Sequence, residues 1–182
     1  MRKGIYKLKE HSGSQMLLGG FICFGIFVVS LLIFEYAHLQ NVSVGVRDAL
    51  QNAVTTSCTE NYARVYNGVR EGYSGGYARS GGRWSEDIDT GDIYGKLDRI
   101  LGTCADGSGG HSKFDGTKVL YTLSDVSVKM TNVPFAPANA ENAGQLTGIA
   151  TVTLAVPMGF NWTGVPPMQV HLKVTAGYAG KF

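Results

Sequence analysis

Residues 16–34, MLLGGFICFGIFVVSLLIF, form an unbroken apolar run in which Ser30 is the only hydroxyl-bearing or charged side chain. As a helix rising about 1.5 Å per residue, such a run reaches roughly 28 Å, close to the thickness of a bilayer's hydrocarbon layer. Helical spacing continues beyond it. Leu39, Val42, Val46, Ala49 and Ala53 recur at intervals of three and four, a heptad seam, and Leu50, Val54, Cys58, Tyr62 and Tyr66 run beside them in steps of four. No proline occurs before Pro134. The pattern predicts one helix over 14–69, ended by Gly68 and Gly72. The competing reading is a break across 41–45, where Val42, Val44, Gly45 and Val46 are mediocre helix formers.

The period then changes. Residues 72–84, GYSGGYARSGGRW, read as an exposed loop, either a connector or a Tyr/Arg surface able to stack on bases or sugars. Asp89 or Thr90 is placed to cap a short helix with Ile93, Leu97, Ile100 and Leu101 on one face. A second polar loop, ADGSGGHSKFDG, leads into three alternating segments. Their apolar positions are the even ones from Leu120 to Met130, then Ala150, Val152, Leu154 and Val156, then the even ones from Met168 to Tyr178. In the first segment Val119, Tyr121 and Leu123 are apolar on the opposite face, which calls for a bulge near Ser124 and Asp125. A sheet with one apolar face needs a layer to lie on, and the second stripe of the long helix is the natural partner. The expected fold is therefore α+β, a long N-terminal helix packed on a small three-stranded antiparallel sheet. The divisions are a basic leader (1–15), a membrane-spanning segment (16–35), an amphipathic outer helix (36–70) and an α+β head (71–182). The connection 157–168 carries Phe160, Trp162 and Val165, either a contact tip or a cap over the core.

Charge orients this arrangement. The leader holds Arg2, Lys3, Lys7 and Lys9 against Glu10, while the dozen residues from Tyr36 carry only Arg47. The positive-inside rule then keeps the N-terminus in the cytoplasm and sends the rest outward. The run is longer than a signal-peptide core, and EYAHLQNVS offers no small-residue cleavage pattern, so an uncleaved anchor is expected. Bulky Phe21 and Ile22 before Cys23 argue against lipidation there. From Tyr36 onward twelve Lys and Arg balance twelve Asp and Glu, which leaves no nucleic-acid footprint.

Candidate chemistry is sparse. Cys58 and Cys104 either form a bond stapling the two helices, worth about 4 kcal/mol in the chain-entropy model, or remain free thiols. His11, His38, His111 and His171 fit no metal-ligand spacing, and no nucleophile elbow or phosphate loop occurs. The acidic run of Glu86, Asp87, Asp89 and Asp92 reads as helix capping and solvation ahead of a Ca²⁺ site. Neither catalysis nor a cofactor is expected.

Ser12-Gly13-Ser14-Gln15 before the apolar run, Glu35-Tyr36 closing it, the amphipathic stretch from Arg47 to Ala53 and a β-rich terminal region together resemble the TadE/TadG-like pseudopilins of tight-adherence machinery. The likeness to this type IV pilus-like family rests on 13–66 and is architectural beyond. It implies a single-pass pilin-like subunit without enzymatic activity, whose partners are membrane lipid, further copies or other pilin-like subunits, and the assembly machinery. On that reading Gly19, Gly20, Gly25 and Ser30 allow close helix approach, Glu35 meets a basic group on a neighbour, and Leu39, Val42 and Val46 continue the assembly surface. Processed members carry Glu five positions after the cleavage-site glycine. Here that position holds Leu18 counted from Gly13 and Gly25 counted from Gly20, and the Gly13–Ser14 bond is the processing site nominated. The alternatives are a non-polymerising single-pass accessory protein of a secretion or conjugation machine, and an anchored surface enzyme or binding domain.

Overall fold

The computed structural model describes residues 4–65, 77–132, 146–159 and 164–178, with side chains for 13–61, 77–132, 146–159 and 164–177. Its elements are helix α1 (Gly4–Val65), strands β1 (Tyr77–Ser80) and β2 (Arg83–Glu86), helix α2 (Ile93–Leu101), then β3 (Cys104–Ala105), β4 (His111–Asp115), β5 (Lys118–Thr131), β6 (Leu146–Val156) and β7 (Met168–Tyr178). The chain divides into two compact units, Met1–Asn41 and Val42–Phe182. Among the described residues the first is helix alone. The second contains the rest of α1, both sheets and α2.

The fold is α+β, with the long N-terminal helix packed on antiparallel sheet. α1 begins ten residues before the expected start at Ser14 and stays helical across 41–45, so the β-branched residues and Gly45 lower propensity without breaking it. Its expected end near Val69 lies outside the described residues. The main sheet has five strands in the order β3-β4-β5-β6-β7 instead of three. The two extra strands come from the segment read as a polar loop. β3 has only two residues and β4, HSKFD, only one large apolar side chain, so neither carries the alternation that marks a buried strand. A separate hairpin, β1-β2, replaces the expected loop, with Ser80 paired to Arg83 around Gly81 and Gly82. Both glycines have positive φ, 57° and 82°, the conformation a two-residue turn between twisted strands demands.

β5, β6 and β7 match the alternating segments. In β6 the even residues from Leu146 to Val156 are all buried, and in β7 Val174 and Ala176 are buried. The anticipated bulge is present: the β5–β6 register shifts between Ser124 and Ser127, and Asp125 takes φ 53°. Before it Tyr121 and Leu123 point into the core; after it the more covered positions are Val126, Val128 and Met130. The extra residue therefore lets one strand present apolar side chains to the same side on both parities. The hydroxyl of Tyr94 on α2 accepts from the Val126 N–H at 3.4 Å, beside the disrupted ladder.

The helix face beneath the sheet reads Val46, Ala49, Leu50, Ala53, Val54, Ser57, Cys58 and Asn61, all buried, at helical spacing of three and four. From Val46 to Cys58 the two stripes distinguished in the sequence thus merge into one buried face, while Leu39 and Val42 are half-buried and the side chains of Tyr62 and Tyr66 lie outside the described residues. Gly148 makes the close approach, since a Cβ there would lie 2.6 Å from Val54 Cγ1, 2.9 Å from Met130 Sδ and 3.2 Å from Cys58 Sγ.

Candidate functional site

Two surfaces carry the chemistry: the apolar stretch of α1 and the polar clamps that fasten the head. In the first unit, a segment within Gly13–Asn61 is long and apolar enough to cross a membrane, and none of that apolar window is buried. Met16, Leu17, Leu18, Phe21, Ile22, Phe24, Ile26, Phe27, Val29, Leu32, Ile33 and Phe34 expose between 55% and 83% of their surface, on every side of the helix. Gly19, Gly20 and Gly25 lie among them with no atom within 4 Å of where a Cβ would stand. Ser30 turns its hydroxyl back onto its own helix, donating to the Ile26 carbonyl at 2.9 Å, so the run presents no unbonded polar side chain there. Gly13 and Ser14 are exposed residues within the helix. Glu35 and Leu39 are half-buried, and so is Val42 in the second unit.

Val46 is different. It is 1% exposed and belongs to the core of the head, so it cannot serve as assembly surface as the sequence suggested. The reason is the merging of the two stripes: a face wide enough to cover the sheet takes in the seam as well.

Cys58 and Cys104 are free thiols that the fold does not bring together. Cys58 Sγ is 3.8 Å from Met130 Sδ, at one end of β5. Cys104 pairs across β3–β4 with Ser112, which pairs with Thr122, eight residues earlier on β5. That is about 25 Å along a strand, against the ~7 Å limit between bridged Cα atoms. Burial pushes the Cys58 thiol up, partly offset by a Gly148 backbone hydrogen bond and the Lys96 charge, so it stays protonated and inert.

Polar residues hold the head together. Asn61, 2% exposed, binds Asp89 twice: its Nδ2 donates to the Asp89 carbonyl at 2.6 Å and its Oδ1 accepts the Asp89 N–H at 2.8 Å. Lys96 reaches from α2 to Ser57 Oγ and Glu60 Oε2, both at 2.6 Å. The N-cap of α2 is Asp92, whose Oδ1 accepts the Gly95 N–H, rather than Asp89 or Thr90. Of the acidic run, Asp92 caps α2, and the Asp89 carboxylate accepts the Gly91 N–H at 2.8 Å. No cluster of three or more metal-ligating side chains occurs among the described residues.

One constellation had no sequence signal. His111 Nδ1 sits 2.8 and 2.9 Å from the two Asp98 oxygens, its ring stacks on Tyr94 at 4.1 Å, and Thr103 donates to Asp98 at 2.6 Å. Lys113 donates to the Leu101 carbonyl at the end of α2, where the helix dipole favours a cation. The imidazole–carboxylate pair resembles the orienting half of a catalytic triad. Its partners here are a stacked tyrosine and a threonine bonded to the carboxylate, and what they accomplish is docking α2 on β4. Asp106 closes the neighbouring turn. It accepts from Ser108 Oγ and N–H, from Ser112 Oγ and from the Gly110 N–H, and these bonds lower its pKa from 3.8 to about 2. Phe160 and Trp162 lie outside the described residues, and Val165 is 40% exposed.

Comparison of the chain with protein-family models, with curated proteins and with solved structures finds no match in any of the three.

Proposed function

We propose that this protein is a structural subunit of the pilin or pseudopilin type, in keeping with the TadE/TadG-like resemblance. On this reading it is held in a membrane by 16–34 with its head outside, and it assembles through that helix into a filament or secretion apparatus. The observation that carries the reading is the all-round exposure of twelve large apolar side chains on a helix whose later part is consumed by a folded head. Each such side chain gains about 1.5–3 kcal/mol on leaving water, so the surface demands lipid or sister helices. Open space at Gly19, Gly20 and Gly25 suits close helix approach in either setting. The head, by contrast, offers polar residues bonded among themselves, which favours a scaffold over a reaction centre.

Shearing cells and imaging the released material tests the reading. The subunit is expected in sheared filaments, decorated by an antibody to the head. Retention of all the protein in the membrane fraction contradicts assembly and leaves the non-polymerising accessory protein as the surviving alternative.

A further inference from the structure

We propose that neighbouring heads are oriented by an electrostatic contact in which Lys129 and Lys173, on the outer face of the sheet of one copy, meet Glu86 and Asp87 of the next; this rests on the assembling-subunit reading. Charge is spread unevenly along the head. Residues 86–125 hold eight Asp and Glu against four Lys and Arg, whereas from Val126 onward the described residues include Lys129 and Lys173 and no carboxylate side chain. Both lysines are exposed, and among the described residues neither takes part in an ion pair or a side-chain hydrogen bond. The strand register sets them on one surface. Lys129 lies opposite Ile149 of β6, and Lys173 lies opposite Thr151, two residues further along the same strand. At the usual strand spacing and rise the two positions are about 12 Å apart, near enough for two flexible side chains to converge on adjacent carboxylates. Around them on this surface stand Ser127, Thr153, His171 and Thr175, hydroxyls and an imidazole in place of acids.

One head is not placed to close this contact on itself. The even positions of β6 are buried, and Gly148 among them approaches Val54 and Cys58 of α1, so Lys129 and Lys173 stand on the face turned away from the helix. Glu86 and Asp87 are also exposed and without an ion pair or side-chain hydrogen bond among the described residues. They lead into Asp89, which Asn61 of α1 holds on the helix side of the sheet. Cations and carboxylates thus lie on opposite sides of one head, and a second copy brings them together. Because the two patches are distinct, the contact is head-to-tail and each copy has one of each to offer, which extends an open array. Exposed ion pairs are individually weak and screened by salt. The contact therefore sets the register and orientation of heads already gathered by their apolar helices, and does not itself drive their association.

The test uses the full-length chain in the membranes of its host. Two differently tagged copies are co-expressed and treated with a carbodiimide, which joins an amine to a carboxylate where the two already meet. In the species carrying both tags, mass spectrometry is expected to find Lys129 or Lys173 joined to Glu86 or Asp87 on the order of tenfold more often than to Asp48, an exposed carboxylate on α1. Salt raised to about 1 M should erase that preference. In parallel, Lys129→Glu with Lys173→Glu should lower the yield of sheared filaments about fivefold, and adding Glu86→Lys with Asp87→Lys should restore it to within about twofold. All four side chains are exposed, and unchanged melting of the head in each variant assigns the loss to assembly. Filaments at the unmodified yield from the doubly reversed chain, or cross-links from Lys129 and Lys173 spread evenly over the exposed carboxylates or directed to another macromolecule, overturn the contact while leaving the filament reading intact. Absence of filaments and of any cross-link between copies of the unmodified chain overturns both.

Discussion

In 16–34 the helix shows apolar side chains on every side, whereas in 46–61 one face is buried and the other carries Arg47, Asp48, Gln51, Asn52, Thr55, Thr56, Thr59 and Glu60 in the open. The same backbone geometry carries two surface patterns. The first stretch exposes apolar side chains all round, and its glycines touch nothing in the chain itself. The second is one wall of a core, and there a single absent Cβ, at Gly148, decides how near the sheet can come. Equivalent substitutions in the two stretches should therefore have unequal consequences.

The largest contrast is expected for leucine truncation. Leu50→Ala removes a fully buried side chain and should destabilise the head by about 3 kcal/mol, read as a lowered melting temperature of the detergent-solubilised full chain. Leu18→Ala, 62% exposed before the change, should leave that melting temperature unaltered. Glycine substitution comes next. Gly148→Ala drives a methyl into Val54 and Met130 and should cost about 2 kcal/mol, whereas Gly20→Ala meets nothing within the chain and should lower only helix–helix association. Asn61→Ala strands the Asp89 N–H and carbonyl, for a loss of about 1–2 kcal/mol by the same melt. The smallest effect is electrostatic. Because hydrogen bonds from Ser108 hold Asp106 ionised down to about 2, its contribution is present above 3.8 and is lost as pH falls from there toward 2. Asp106→Asn should flatten the dependence of head stability on pH across that window.

How much of this was legible in the sequence depends on how each element is stabilised. β5, β6, β7 and α2 announced themselves by period, although of the four apolar positions in α2 only Ile93 and Leu97 are buried and Ile100 is 50% exposed, and the bulge in β5 followed from apolar residues on both parities of one strand. β1, β2, β3 and β4 escaped notice because they are short, polar and held by backbone pairing and glycine turns instead of burial. The Gly81–Gly82 turn and the Asp115–Gly116 pair were the available hints. The roles of Asn61, His111 and Asp98 arise from contacts 28 and 13 residues apart in the chain, for which no local pattern exists. Val46 was misassigned because seam spacing looks the same whether the seam meets a sheet of its own chain or a sister helix.

The account turns on what surrounds 16–34, and the native cysteines report it. Cys23 is exposed within the apolar stretch, Cys104 is exposed on the head and Cys58 is buried. Intact cells are treated with a membrane-impermeant maleimide, and labelling is mapped by mass spectrometry. The account predicts modification of Cys104 alone, with Cys23 becoming reactive only after lipid and assembly are dissolved. Labelling of Cys23 at the rate of Cys104 in untreated cells would place that helix in water and contradict it.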